Sequence, residues 1–139
     1  VTALFSAAAL ATLLEEANGH PWESVRSALA GAEGQPHPRI AALASHLTAT
    51  KRAYWTLISA AAAHAEAIPV PHPPDDAGLT RLMEWEVAAA RALPESALGL
   101  MVTHSGQTVT VSDLLRLNAR HTAWHAGQIA ALARRERSA

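Results

Sequence analysis

Ile68-Pro69-Val70-Pro71-His72-Pro73-Pro74 carries four prolines in seven residues, a density no helix survives. Each proline fixes φ near −65° and withholds a backbone donor, so the stretch is extended, at about 3.1 Å per residue in polyproline geometry. Such a connection can run back along a bundle instead of turning at its end. It then leaves its two flanking helices parallel, as in four-helix bundles with one long crossover. The expected fold class is all-α, a single four-helix-bundle domain over residues 1–139 with a long crossover between the second and third main helices.

Upstream of the prolines, Leu43, His46, Leu47, Thr50, Tyr54, Leu57 and Ile58 recur at spacings of three and four. They predict a long helix over 39–67, with His46 on its core-facing stripe. Downstream, Asp75 or Asp76 is placed to cap a third main helix that runs through Leu93 and is stopped by Pro94. At the start of the chain, residues 1–17 are apolar, lack a basic flank and are interrupted by Ser6, Thr12, Glu15 and Glu16. They read as a core helix, too short and too polar for a membrane span and without the start of a signal segment. Asn18-Gly19 supplies a left-handed cap and Pro21 blocks continuation, after which Pro21-Trp22-Glu23 suits the first turn of a short helix ending at Gly31. Residues 31–38 form a loop.

Residues 99–111 read as irregular, with Val102, Val109 and Val111 alternating around Ser105-Gly106 as in a small hairpin. Thr110 to Asp113 is a capping-box variant that opens the last helix, whose inward face carries Leu114, Leu117, His121, His125, Gln128 and Leu132. The arginines at 134, 135 and 137 suit a helix C-terminus and need no further role.

Composition narrows the function. Half of the residues are hydrophobic and alanine dominates, as closely packed helices require. Eleven basic residues against twelve acidic ones give no electrostatic reason for a nucleic acid or an anionic membrane as partner. There is no cysteine, which fits a reducing cytoplasm, the expected location, and means that any thiol chemistry must import its thiol.

The chemistry-bearing stretch is His121-Thr122-Ala123-Trp124-His125. Two imidazoles four residues apart share one helix face, and His46 from another helix is the third candidate for a divalent-metal site. Three protein ligands leave a position open for water or substrate, whereas closed structural sites use four. Zinc is the default ion, with nickel or iron compatible with all-nitrogen ligation. His64 shares a face with His46 but lies about 27 Å along the helix, out of reach of the same ion. His20, His37 and His72 read as solvated loop residues, and His104 as a substrate contact or proton shuttle. Asn118 and Glu86 lie where they could orient a ligand, although a solvated face is the simpler reading of both. Gly127 and Gln128 read as structural, admitting a neighbouring helix and satisfying a polar group inside the bundle. The tryptophans at 22, 55, 85 and 124 read as core or dimer contacts.

His46, together with His121-x-x-x-His125-x-Gly127-Gln128-Ile129, resembles the fingerprint of the DinB/YfiT-like superfamily of bacterial metal-binding bundles. The run Trp22-Glu23-Ser24, then Ala28 to Gly31 and His46-Leu47, is similar to that superfamily's opening half, so the likeness spans nearly the whole chain. It is weakest over residues 70–100. The resemblance implies an up-down-down-up bundle, a homodimer and one divalent ion per subunit. It also implies a possible thiol S-transferase using a low-molecular-weight thiol such as bacillithiol, mycothiol or glutathione on a small electrophilic substrate. A metal-dependent hydrolase and a non-catalytic, stress-related dimer with a structural metal are the competing expectations.

Overall fold

The computed structural model describes residues 5–35, 37–65 and 69–138, with side chains through Arg134. Five α-helices account for most of these residues: α1 (Ala7–Gly19), α2 (Val25–Gly31), α3 (Pro38–His64), α4 (Leu79–Arg91) and α5 (Val111–Ser138). A two-stranded antiparallel hairpin, β1 (Met101–His104) and β2 (Gln107–Thr110), precedes α5. The fold is all-α in class, with the hairpin as its one sheet among the described residues. No helix among them is long and apolar enough to cross a membrane.

The helices start where side chains can satisfy free backbone donors. Ser6 accepts from Ala9 N at 3.1 Å and Ser24 from Ser27 N at 3.1 Å. His37 accepts from Arg39 N through Nδ1 at 3.1 Å, with Pro38 in the first turn. The capping box of α5 forms as the sequence predicts, with Asp113 N donating to Thr110 Oγ1 at 3.0 Å and Thr110 N to Asp113 Oδ2 at 3.4 Å.

Three boundaries differ from expectation. The short helix starts at Val25, not at Pro21, because the His20 ring accepts from the Trp22 and Glu23 amides and leaves Ser24 as the cap. Asp75 and Asp76 are the middle of a turn closed by Ala77 N on Pro74 O, so α4 begins after Gly78 with no side-chain cap. It also ends at Arg91, ahead of Leu93 and Pro94. The long helix expected over 39–67 runs from Pro38 to His64 and is capped at Ala65; its expected residues 66–67, and the expected helix at residues 1–4, lie outside the described residues.

The proline-rich connection does run back along α3. Pro71 O accepts from Ser59 Oγ at 3.0 Å, and Arg52 then holds Pro74 O at 2.6 Å and Ala77 O at 3.1 Å. The hairpin closes on Ser105 and Gly106, with φ of 51° and 76°, the two left-handed residues of a type I′ turn, whose twist matches that of the strands.

Two apolar clusters make the core. One gathers Leu10 and Leu14 of α1, Trp55 and Ile58 of α3, Ala90 of α4, Leu93 and Val102, and Leu114 of α5. The other gathers Val25 and Ala28 of α2, Leu47 of α3, Met83 of α4 and Ile129 of α5. On α3 the clusters are separated by Lys51, on α4 by Glu86 and on α5 by Asn118 and Thr122, all four fully buried. The core is thus two apolar layers with a polar layer between them, and His121 adjoins its Thr122, while His46 and His125 adjoin Leu47 and Ala126 of the second cluster.

Candidate metal centre

His46, His121 and His125 converge. His46 Nε2 lies 3.1 Å from His121 Nε2, and His125 Nε2 lies 3.0 Å from the same atom. All three ligand atoms fall within 4.8 Å of one another. Two nitrogens each about 2.0–2.1 Å from one zinc ion sit roughly 3.3 Å apart at a tetrahedral angle and closer at a right angle, so the observed spacing is that of a triangular cap. His121 and His125 reach it because i and i+4 on α5 share a face. His46 reaches it from α3, which packs directly on α5.

Proton bookkeeping shows what these rings need. His125 Nδ1 faces Gln128 Oε1 at 2.6 Å and donates its proton there, which leaves the Nε2 lone pair turned toward His121. The His121 imidazole is held neutral at pH 7, its pKa pushed down to about 4 by desolvation first, then by His125, His46 and Lys51. A neutral His121 Nε2 either donates or accepts, so it serves both neighbours only by sharing one proton in a three-centre bond, and the buried His121 Nδ1 then has no hydrogen-bond partner among the described residues. If His46 donates to it, two lone pairs oppose each other across 3.0 Å. A cation shared by three lone pairs removes that conflict, so the donor set fits a divalent metal.

Several expectations change here. His46 does not face the core; it is exposed, and His121 and His125 are half-buried. The buried stripe of α3 is Ile40, Leu47, Lys51, Tyr54, Trp55, Ile58, Ser59 and Ala62, rotated from the expected one because a lysine occupies a core position. Gln128 is exposed and bonded to His125, so it satisfies no interior group but orients a ligand ring. Gly127 has open space where a Cβ would stand and admits no close helix. His20 and His37 act as backbone caps, while His64 and His72 are exposed and away from the triad. Trp55 is core and Trp85 stacks edge-on against it at 5.2 Å, whereas Trp22 and Trp124 are 84 % and 71 % exposed.

His104, at the hairpin tip, lies with its ring centroid 5.4 Å from that of Tyr54, which is 6.3 Å from that of His121. Tyr54 is 4 % exposed and burial raises its phenol above the ordinary tyrosine value, so it stays a neutral donor. Two clefts of about 660 and 720 Å³ lie elsewhere, between α2 and α5 and between α1 and α4, and neither is lined by the triad.

The solvated-face readings of Glu86 and Asn118 are overturned, since both are 0 % exposed. Glu86 Oε2 accepts from Lys51 Nζ in a close ion pair and from Asn18 Nδ2 at 2.7 Å. Its Oε1 accepts from Trp55 Nε1 at 2.9 Å and Asn118 Nδ2 at 2.8 Å. Asn118 Oδ1 in turn accepts from Lys51 Nζ at 3.0 Å. Burial holds the Lys51 ammonium below the ordinary lysine range, with attraction to Glu86 acting the other way. Sequence reasoning passed over Lys51 and Thr122 and read Asn18-Gly19 as a left-handed cap, whereas neither residue has a positive φ, His20 is the cap of α1 and Asn18 is buried against Glu86. The available signal was a lysine spaced four after Leu47 and four before Trp55, with a glutamate on the apolar stripe of another helix as its counter-charge.

No family profile, curated protein or solved structure matches this chain.

Proposed function

We propose that the chain is a divalent-metal-binding protein of DinB/YfiT-like type that uses an imported low-molecular-weight thiol to transfer sulfur onto a small electrophile. The observation that carries this is the meeting of three Nε2 atoms, contributed by two helices, with no arrangement of their own protons that gives both contacts a separate two-centre hydrogen bond. Zinc is the ion we favour, with nickel or iron as substitutes. An up-down-down-up order accounts for the packing: α3 and α4 both start in the Leu47–Met83 cluster and finish beside the Ile58–Leu93 cluster, while α5 runs the other way.

A divalent ion held there would lower the pKa of a coordinating thiol, so that thiolate forms near neutral pH. The residues of the chain do the rest. The exposure of His46 leaves the triad accessible to a small molecule from solvent. Gln128 fixes the His125 tautomer, and the depressed proton affinity of His121 keeps its ring free to ligate. Tyr54 places a phenol beside His121, with the His104 imidazole on that phenol, where the pair would offer a donor to an oxygen of the electrophile. The outward rings of Trp22 and Trp124 favour a homodimer.

The test is conjugation of a small thiol to a chlorodinitrobenzene electrophile by zinc-loaded protein. We expect turnover that stops with a chelator and in His125→Ala. Equal conversion by metal-free protein would overturn the reading, and ester hydrolysis that needs metal but no thiol would replace it with a hydrolytic one.

A further inference from the structure

A lysine and a glutamate at zero exposure in a 139-residue helical domain need an explanation, because desolvating two charges costs several kcal/mol per ion before their attraction is counted. Packed apolar residues of the same volume are often as stabilising or more so. The Glu86 hub therefore calls for a reason other than stability. It binds side chains from each of the other three long helices: Asn18 of α1, Lys51 and Trp55 of α3, and Asn118 of α5, with Glu86 itself on α4.

Its position supplies the reason. Lys51 lies five residues after His46, and Asn118 lies three residues before His121. Thr122, next to His121, donates to Asn118 O at 2.7 Å and faces Asn118 Oδ1 at 3.4 Å. Among the described residues no hydrogen bond runs from the hub to a triad ring, so the hub does not orient a ligand directly. What it can fix is helix register. Alanine-rich faces tolerate sliding and rotation, because one small apolar side chain replaces another at little cost. A carboxylate with four donors satisfied, beside a lysine bonded to both Glu86 and Asn118, is complete in one register alone, and any slip leaves a buried charge unpaired.

We propose that the buried Glu86–Lys51–Asn118 hub is a positioning device that sets α5 against α3 so that His46 meets His121 and His125 at ligand spacing. This rests on the metal reading above. Zinc affinity and coordination geometry then depend on residues that touch neither the ion nor its ligands.

The experiment is zinc titration against a competing chelator, with the cobalt(II) absorption spectrum as a report of geometry, on wild type and two variants. The triple variant K51M/E86L/N118L replaces the hub with apolar side chains. It is expected to melt cooperatively but to bind zinc 10–100-fold more weakly, with a changed cobalt spectrum. The variant K51M/E86Q keeps an amide that can bond Asn118 and Trp55, and it is expected to bind closer to wild type than the triple variant does. A folded triple variant with wild-type affinity and spectrum would overturn the proposal while leaving the metal site standing. If the triple variant does not fold, Asn118→Leu measured below its melting temperature makes the same comparison, and unchanged affinity and spectrum there also overturn it. Wild type that takes up no zinc removes the metal reading and this proposal together.

Discussion

Glu86→Ala strips the acceptor from four buried donors at once: Lys51 Nζ, Trp55 Nε1, Asn18 Nδ2 and Asn118 Nδ2. The dominant loss is the ammonium of Lys51, which stays fully buried with only Asn118 Oδ1 at 3.0 Å. Removing one partner of a buried ion pair costs about 3–5 kcal/mol, a large share of the roughly 5–15 kcal/mol that holds a domain together. At about 2.1 cal/mol/K per residue, 139 residues give an unfolding entropy near 0.29 kcal/mol/K, so Tm is expected to fall by about 10–17 °C. The assay is calorimetric melting with a chelator present, so that no ion contributes. K51M/E86L, in which no charge is left buried, is expected to melt above Glu86→Ala. A single variant that loses less than about 1 kcal/mol, or a double variant that melts lower than the single one, would refute the reasoning.

The remaining predictions concern the site. His121 has a folded pKa of about 4 against an ordinary 6.5, so the unfolded chain binds the extra proton first as pH falls. The stability of the metal-free protein is therefore complete above pH 6.5 and declines from there to about pH 4, by roughly 1–2 kcal/mol after allowing for screening of a partly exposed ring. Urea melts at pH 7, 5.5 and 4.5 should show that decline and show it reduced in His121→Gln; equal slopes would contradict the assignment. Gln128→Ala removes the acceptor 2.6 Å from His125 Nδ1, and competition titration should find zinc affinity reduced by about 10-fold or more, with the melting of the metal-free protein nearly unchanged.

Much of this molecule is legible in its sequence because the informative residues act locally. The prolines at 69, 71, 73 and 74 exclude a helix whatever surrounds them, and Ser105-Gly106 and Thr110-to-Asp113 carry their turn and cap within four residues. His121 and His125 share a face through helix geometry alone. The polar layer was not legible. Lys51 and Glu86 stand at or near apolar stripes without a visible partner on their own helix, Asn118 reads as solvated, and only pairing across α3, α4 and α5 makes their burial tolerable. Leaving Lys51 off the predicted stripe of α3 also rotated it and placed His46 inside, whereas Leu47, on the same stripe, is buried and His46 is exposed. Of the four tryptophans read as core or dimer contacts, Trp55 is in the core, whereas Trp22 and Trp124 stand outside it, a distinction that periodicity on a single helix does not make.

The central claim is that His46, His121 and His125 hold a divalent ion. Elemental analysis of protein purified without added metal or chelator, repeated on His46→Ala, tests it most directly. Close to one zinc, nickel or iron per chain is expected in the wild type and a small fraction of that in the variant. Equal metal content in the two, or none in the wild type, would contradict it.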